Sequence, residues 1–483
     1  MKLLTNGFAP KWLLVLSLSL FVFISCQKGV KDFPAQQEKS TAQNNSNNEH
    51  GHLKQTKEYS SDVLFRWIDF QLTTLYKINS GGMGGIGGAR FAAWTGITAY
   101  ESVVPGMPAY QSLSGQLTNL TGLPKTAPGF AYHWPESLNA ALAYLTKARN
   151  PANALLFPAP AGAEAAQLLS IENFSNNLYN EFISEGASVE VLDRSKAFGE
   201  EVAAKIVQWV NTENKPGIAD TYPTEAGFNI ASGEWVRTNP NAGSALRNWG
   251  LTRLFVPGSL SGIVRSNPFT YSTAQGSDFR NMAQAIYDKS YNPHNLSLSE
   301  RLTIANYYAI PGYGTGHYLN IVKQVLEKEN PTLDSSALIL AQAGMAVGDA
   351  GVGCVQVKYE TNVVRPQTYI RKIFGDALWA PPIGQPNHPD YPSGHSTLAG
   401  ATAEILSTHF GDNYSFTDKS FIDFTGNQQF AARQHNSFTA MANEIGDSRV
   451  YGQIHYPKSC DDGQALGRKV AQNVLSNVKF LKD

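Results

Sequence analysis

The sequence predicts an all-α fold, a large helical bundle with long irregular loops. Apolar residues recur at three- and four-residue spacing along most of the chain after Tyr59, which is the pattern of amphipathic helices. Strict alternation of apolar and polar residues is too sparse for an α/β sheet, and no segment repeats at the period of a solenoid. The 483 residues are enough to bury a large hydrophobic core.

The N-terminal segment, residues 1–26, has the pattern of an export signal. Two lysines precede an apolar run from Trp12 to Ile24, which is too short to span a bilayer and has the length of a signal-peptide core. The run ends in a small residue followed by Cys26, as in bacterial lipoprotein signals, although Phe23 stands where these signals usually carry leucine. We expect lipidation of Cys26 and a lipid-anchored protein in the periplasm or at the cell surface, with an ordinary secretory signal as the alternative.

The following segment, residues 27–56, is rich in Asn, Gln, Ser, Lys and Glu and has almost no large apolar residue. Such a composition cannot bury enough surface to offset the entropy of ordering, so we predict a disordered tether. The helical domain is then expected to span residues 57–483.

The helices of this domain are predicted from apolar periodicity and from Gly and Pro at their ends. The first follows the apolar residues from Val63 to Leu75, and the glycine-rich stretch 81–88 is expected to be a flexible turn before the second. The segment 214–275, rich in Gly, Pro, Asn and Ser, is predicted to be an irregular insertion with a short hairpin around 251–256. The other helices are predicted at 89–104, 135–148, 161–186, 192–212, 276–290, 297–309, 315–329, 334–358, 393–410, 429–446 and 462–481.

The charge of the chain excludes partners that need a strong electrostatic field. The formal net charge is -1 and only 16% of the residues are charged, so nothing in the composition attracts nucleic acid or an acidic membrane surface. Removal of the signal and lipidation of Cys26 would leave Cys354 and Cys460, and we expect these two not to form a disulfide. The sequence makes no prediction of oligomeric state.

Three short segments in the C-terminal third carry the candidate binding and catalytic side chains. They run from Lys358 to Pro366, from Pro392 to His395 and from Ser448 to His455. This set suits a compact oxyanion such as phosphate or vanadate, because guanidinium groups bind oxyanions in a bidentate way and lysine acts as a point charge. The candidate residues are Lys358, Arg365, Ser393, Gly394, His395, Arg449 and His455.

Some of these residues also have structural interpretations. Lys358 closes a predicted helix, where a lysine can cap the last carbonyl groups, and Ser393 can be the N-cap of the helix that follows it. The same helix start can bind an anion, and His395 in its first turn is placed to move a proton. A neutral His455 can be either a nucleophile on phosphorus or a metal ligand.

The three segments resemble the motifs of the superfamily shared by phosphatidic-acid-type acid phosphatases and vanadium-dependent haloperoxidases. The superfamily pattern is Lys-x6-Arg-Pro, then Pro-Ser-Gly-His, then Ser-Arg-x5-His-x3-Asp, and the chain matches it through His455. The helix 89–104 and the turn at Gly316-His317-Tyr318 also look like the soluble bacterial haloperoxidases. The resemblance therefore implies a helical bundle of the acid phosphatase/vanadium haloperoxidase type.

One position departs from the superfamily pattern. Ser459 stands where the pattern has aspartate, and Asp461 and Asp462 follow as candidate substitutes. In a phosphatase this aspartate would orient and activate the nucleophilic histidine. Its loss would impair phosphoryl transfer more than vanadate ligation, so the departure favours a peroxidase.

The resemblance implies vanadate as the cofactor and halide and hydrogen peroxide as the substrates. His455 would bind vanadium directly, Lys358 would polarise bound peroxide and His395 would relay protons. Halide would then attack the activated peroxide to give hypohalous acid. The residues that would hold the vanadate oxygens are Lys358, Arg365, Ser393, the amide of Gly394, and Arg449.

His388 is a further candidate, for tuning a halide pocket. The resemblance places histidine here in bromide-oxidising members, so we expect oxidation of iodide, with or without bromide; the alternative is a loop histidine bonded to the backbone. His317 and Tyr391 are weaker pocket candidates, for which structural roles are favoured.

Two other functions stay open: an acid phosphatase with His455 as nucleophile and His395 as leaving-group acid, and an oxyanion-binding lipoprotein without turnover.

Overall fold

The computed structural model describes residues 54–77, 89–157, 159, 161–213, 222–243, 245, 247–309, 313–425 and 428–483. The predicted signal at 1–26, nearly all of the predicted tether at 27–56 and the glycine-rich stretch at 81–88 lie outside the described residues, so these stay predictions. The described residues belong to one unit, Leu53–Asp483.

The fold is all-α, as predicted, with 58% of the described residues in helices and 4% in strands. The two short strands, β1 (Phe416–Asp418) and β2 (Arg433–His435), pair in antiparallel fashion. The helices are α1 (Asp62–Lys77), α2 (Ala89–Val103), α3 (Trp134–Lys147), α4 (Glu164–Ser184), α5 (Val189–Asn211), α6 (Asp278–Tyr287), α7 (Leu298–Tyr307), α8 (Tyr313–Glu329), α9 (Leu333–Thr361), α10 (Pro366–Tyr369), α11 (Gly394–Phe410), α12 (Ser420–Thr425), α13 (Phe438–Tyr451) and α14 (Pro457–Asn477).

Two local predictions are wrong. The segment 251–256 is not a hairpin, because it begins with the last residue of a short 3-10 helix, Arg247–Leu251. Asp349 of α9 accepts hydrogen bonds from the main-chain N–H groups of Phe255 (2.8 Å) and Val256 (3.0 Å). A buried carboxylate therefore satisfies the backbone that a partner strand would otherwise pair. The helix predicted at 429–446 begins later, because β2 comes first and Ser437 caps the start of α13.

Helix α9 lies at the centre of the bundle and carries Lys358 in its last turn. By length and a mean hydropathy of 1.5 it could cross a membrane, but 94% of its apolar window is buried inside the protein. It packs against α2, α11 and α14. A Cβ on Gly96 of α2 would lie 2.5 Å from the carbonyl oxygen of Leu340, so glycine permits the close approach of these two helices.

Helices α11 and α14 cross closely, and each is joined to a predicted site segment. A Cβ on Gly467 of α14 would overlap the carbonyl oxygen of Thr397, and a Cβ on Gly400 of α11 would overlap that of Gln464. This close packing fixes the start of α11 relative to His455, which directly precedes α14.

Buried Glu136 on α3 makes the free energy of unfolding depend on pH. The side chain is 1% exposed and accepts a hydrogen bond from the Asn139 amide at 2.8 Å. Burial raises the pKa of the Glu136 carboxyl to about 8, so the folded state binds a proton more tightly than the unfolded state. Stability is therefore lost as the pH rises from the unfolded pKa, about 4.5, towards 8.

The variant Glu136→Gln is expected to be more stable than the wild type at about pH 8, by on the order of 2 kcal/mol, and little different at about pH 5. The glutamine keeps the acceptor for Asn139 and removes the buried charge. Thermal unfolding at both pH values measures this, with the exposed Glu172→Gln on α4 as the control. Equal pH dependence of unfolding in wild type and Glu136→Gln would contradict the prediction.

Candidate active site

Lys358 is fully buried in the last turn of α9. Its Nζ donates to the main-chain oxygens of Pro389 and Asp390, both at 2.9 Å, rather than to the last carbonyl groups of its own helix. The capping interpretation is therefore wrong for this lysine. Burial, reinforced by the neighbouring Arg365, lowers the pKa of the Lys358 ammonium.

Arg365 is also fully buried, at the N-cap position of α10. Its Nε donates to the main-chain oxygen of His388 at 2.6 Å, one terminal nitrogen donates to that of Ile454 at 2.7 Å, and the other lies 2.9 Å from Nδ1 of His388. Burial lowers the pKa of the guanidinium to about 10. This one side chain therefore joins the end of α9, the 388–390 loop and the turn before His455.

The Pro-Ser-Gly-His segment forms the start of α11, as predicted. Ser393 is the N-cap, with its Oγ 3.5 Å from the main-chain nitrogen of Ser396 and accepting from the Ser396 hydroxyl at 3.0 Å. Gly394 is the first helical residue and His395, which is partly exposed, the second. The first N–H groups of a helix lack carbonyl partners within it, so this end presents donors and positive potential. Ser393 is thus an N-cap at a helix end that is suited to an oxyanion.

Arg449 lies in the last turn of α13, where it is 3% exposed. One terminal nitrogen donates to the main-chain oxygen of Tyr308 at 2.7 Å, while the buried Nε has no hydrogen-bond partner among the described residues. Burial lowers the pKa of this guanidinium to about 10. The unpaired Nε is a buried donor that an anion could satisfy.

His455 lies between α13 and α14 and is 3% exposed. Its Nε2 is 3.5 Å from a terminal nitrogen of Arg365, and its Nδ1 is 3.0 Å from Oδ1 of Asp390, although the ring N–H is not aligned for a good hydrogen bond. Burial, together with the charges of Arg365 and Lys358, lowers the pKa of His455 well below its usual range. The imidazole is therefore neutral near pH 7, as a nucleophile or a metal ligand must be.

Neither candidate substitute for the superfamily aspartate reaches His455. Asp462 pairs with Lys458 at 2.9 Å and accepts from the Tyr391 hydroxyl at 3.0 Å, and Asp461 is exposed. Within the described part of the chain, no hydrogen bond or ion pair joins either aspartate to His455.

The carboxylate at His455 comes instead from Asp390, which the sequence interpretation overlooked. Asp390 also accepts a hydrogen bond from the Ser459 hydroxyl. The argument that Ser459 leaves the histidine without an acid, and so favours a peroxidase over a phosphatase, is therefore wrong. The only sequence signal was the position of Asp390 three residues before Ser393; folding alone brings it to His455.

The remaining histidines differ in their connection to the site. His388 is partly exposed and bonded to Arg365 through both its ring and its main chain, so it borders the cationic cluster. Its proposed effect on a halide pocket stays a prediction. His317 is buried against Asp418, with Nε2 to Oδ2 at 2.7 Å, and Tyr391 bonds Asp462, so both have the structural partners that the sequence interpretation favoured.

Cys354 and Cys460 are buried free thiols, which confirms that they do not pair. Cys354 is directed towards the main-chain oxygen of Pro392, at 3.6 Å. The stability of this part of the bundle therefore rests on packing and hydrogen bonds.

The charges and donors of the site fit a multiply charged tetrahedral oxyanion. Lys358, Arg365 and Arg449 bring three buried positive charges together, while Asp390 supplies one negative charge against them. Such an excess of buried positive charge is costly unless an anion offsets it. The unpaired Nε of Arg449 and the N-terminal amides of α11 add donors to the same set.

Comparison with known proteins agrees with this geometry. Residues 338–483, which include the complete site, match the family model of the VCPO second helical-bundle domain. No curated protein matches the chain.

Solved structures match over most of the chain. A bacterial vanadium-dependent iodoperoxidase is similar at 26% identity with a TM-score of 0.73, covering 88% of this chain and 98% of that one. A bacterial vanadium-dependent chloroperoxidase is similar in fold at 14% identity: its apo form has a TM-score of 0.55, covering 82% of this chain and 95% of that one. Its holo form has a TM-score of 0.56, covering 83% and 94% respectively.

Proposed function

We propose that this chain, which belongs to the vanadium-dependent haloperoxidases, oxidises iodide, with or without bromide, using hydrogen peroxide to form hypohalous acid. The observation that carries the proposal is that three buried cations act on a neutral His455, with Arg365 facing its Nε2. The similarity to an iodoperoxidase, at 26% identity, supports iodide in particular.

Vanadate is the cofactor, and the residues that would hold it are those of the cationic cluster. Its oxygens would be held by Lys358, Arg365, Ser393, the amide of Gly394, and Arg449, and its vanadium by Nε2 of His455. Bound vanadate supplies Lewis-acid activation of hydrogen peroxide without a change in the redox state of vanadium.

Lys358 is held in a fixed orientation for its part in the reaction. Two main-chain oxygens of the 388–390 loop accept from its Nζ, which leaves the third ammonium hydrogen for an oxygen of the substrate. A buried ammonium polarises such an oxygen more strongly than one in water, because the surrounding dielectric is low.

His395 is placed to move protons between the cluster and solvent. Its side chain is partly exposed, and the Tyr318 hydroxyl donates to its main-chain oxygen at 2.7 Å, which fixes the first turn of α11. Burial, together with the charges of Arg449 and the nearby histidines, lowers the pKa of His395 well below its usual range. The ring is therefore neutral near pH 7 and can accept a proton from hydrogen peroxide.

The variant His395→Ala is expected to lower bromide oxidation about 100-fold and iodide oxidation about tenfold, since general acid–base catalysis contributes at least about 100-fold and iodide needs less activation. Steady-state rates with each halide measure this. The control is His409→Ala at the other end of α11, with unchanged rates expected. We expect bromide oxidation to depend on the proton relay of His395 more strongly than iodide oxidation does. An equal loss of both activities would contradict this role.

The halide and the reaction class are tested on the vanadate-loaded protein with hydrogen peroxide. We expect rapid formation of triiodide, slower or absent bromination of a phenolic reporter and no chlorination. Chloride oxidation would overturn the proposed halide range. Hydrolysis of p-nitrophenyl phosphate without any halide oxidation would instead support an acid phosphatase, for which His455 and Asp390 would supply a nucleophile and its orienting acid.

A further inference from the structure

We propose that Asp390 is the positioning residue for His455, replacing the aspartate that the superfamily motif places four residues after that histidine, with Ser459 as its hydrogen-bond partner. The inference rests on the proposed function, because it assigns the support of the vanadium ligand. In this chain Asp390 supplies the carboxylate and Ser459 the hydrogen bond that holds it, whereas the superfamily motif uses one aspartate.

The carboxylate of Asp390 lies between the histidine and the serine. It is fully buried, with Oδ1 3.0 Å from Nδ1 of His455 and Oδ2 accepting from the Ser459 hydroxyl. Ser459 is also fully buried and does not reach the histidine by a hydrogen bond in the described structure. The order of contacts is therefore His455, Asp390, Ser459.

The main chain around Asp390 is fixed at three points. Its N–H donates to the oxygen of Val363 at 3.0 Å, and its own oxygen accepts from Nζ of Lys358 at 2.9 Å. The N–H of Ser393 donates to the oxygen of Ser459 at 2.8 Å, which ties the start of α11 to the same place. The position of the carboxylate is thus linked to a cation of the cluster and to the anion-binding helix end.

The carboxylate determines which ring nitrogen of His455 is free. A negative oxygen beside Nδ1 favours the tautomer with the proton on Nδ1, and this leaves the lone pair on Nε2. Nε2 is the atom that faces Arg365, at 3.5 Å, and hence the cationic cluster. Asp390 therefore directs the ligand atom towards the site where the cations would hold the vanadate oxygens.

The test exchanges the two side chains. In Asp390→Ser the carboxylate is lost, and in the double variant Asp390→Ser with Ser459→Asp it returns from the position that the superfamily motif uses. Metal-free protein is titrated with orthovanadate and, separately, with inorganic phosphate. Vanadate needs both the cations and the His455 lone pair, whereas phosphate needs only the cations and amides.

Asp390→Ser is expected to weaken vanadate binding by about 10- to 100-fold, the usual effect of losing the partner of a ligating histidine. Phosphate binding should be unchanged or tighter, since a negative charge leaves the site, and this shows that the folded cluster is intact. The double variant should recover most of the vanadate affinity. Ser459→Ala, which keeps the carboxylate, should lose less than Asp390→Ser.

Vanadate binding by Asp390→Ser as tight as in the wild type would overturn the inference. An equal loss of vanadate and phosphate binding would also overturn it, because Asp390 would then support the fold of the whole site. A double variant no better than Asp390→Ser would likewise count against it. A wild-type protein that binds phosphate and not vanadate would overturn the proposed function, a result distinct from these three.

Discussion

Replacing His455 with alanine is expected to reduce vanadate binding and vanadate-dependent iodide oxidation by more than about 100-fold, beyond the usual cost of losing a residue that only supports a ligand. The reason is that Nε2 of His455 faces the cation of Arg365, while Nδ1 of the same ring lies against the carboxylate of Asp390. The cations and amides that remain can attract an oxyanion but cannot form a bond to vanadium. Titration with orthovanadate and the rate of triiodide formation measure the two losses.

His455→Ala also distinguishes the contribution of the vanadium ligand from that of the cations around it. Inorganic phosphate should still bind to His455→Ala, because Lys358, Arg365 and Arg449 are unchanged. His409→Ala, a histidine replacement elsewhere in the bundle, should leave both vanadate binding and activity unaltered. Full peroxidase activity in His455→Ala would show that the ligand has been assigned to the wrong residue.

Replacing Arg365 with methionine is expected to weaken the binding of both vanadate and phosphate by about 100-fold or more. A terminal N–H of Arg365 faces Nε2 of His455, and charge-assisted hydrogen bonds contribute about 1.5–3 kcal/mol each. The loss of one positive charge from the cluster adds to this. Unlike the histidine variant, Arg365→Met should therefore lose the two oxyanions together.

The effect of Arg365→Met on stability should be smaller, because two contributions oppose each other. Removing the guanidinium leaves the carbonyl oxygens of His388 and Ile454 without their donor, at about 1–3 kcal/mol each. Burial lowers the pKa of this guanidinium to about 10, so removing the buried cation recovers about 3 kcal/mol. We expect the free energy of unfolding to change by no more than about 3 kcal/mol in chemical denaturation.

Arg365→Lys is the matched control, because lysine keeps the positive charge but lacks the planar guanidinium group with its several N–H donors. It should retain weak phosphate binding through its charge but lose the bridge between the 388–390 loop and the turn at Ile454. Phosphate binding by Arg365→Met that equals the wild type would contradict the place of this guanidinium in the cluster. Loss of folded protein in Arg365→Met, with Arg365→Lys normal in fold and binding, would show that the side chain is structural.

The sequence predicted the helices and the three site segments well because their signals are local. Apolar periodicity and helix caps lie within a few residues of one another, and the superfamily spacing fixes Lys358 relative to Arg365 and Arg449 relative to His455. The hairpin at 251–256 failed because a short apolar run does not distinguish a strand from a buried loop. Here a distant carboxylate, Asp349, replaces the strand partner.

Asp390 was missed for a related reason. The motif directs attention to the position four residues after His455, and the nearest acids in sequence are Asp461 and Asp462. Contact between His455 and Asp390 depends on the path of the 388–390 loop across the end of α9, which is set by Lys358 and Arg365 through main-chain oxygens. No periodicity or spacing encodes those long-range bonds.

The vanadate requirement of iodide oxidation tests the central claim most directly. Metal-free protein should form no triiodide from iodide and hydrogen peroxide, and its activity should rise on addition of orthovanadate and level off at one vanadate per chain. Excess inorganic phosphate should slow this recovery by competing for the same cations. Iodide oxidation that is equally rapid without vanadate, or its absence at saturating vanadate, would contradict the assignment of this site as a vanadate-dependent haloperoxidase centre.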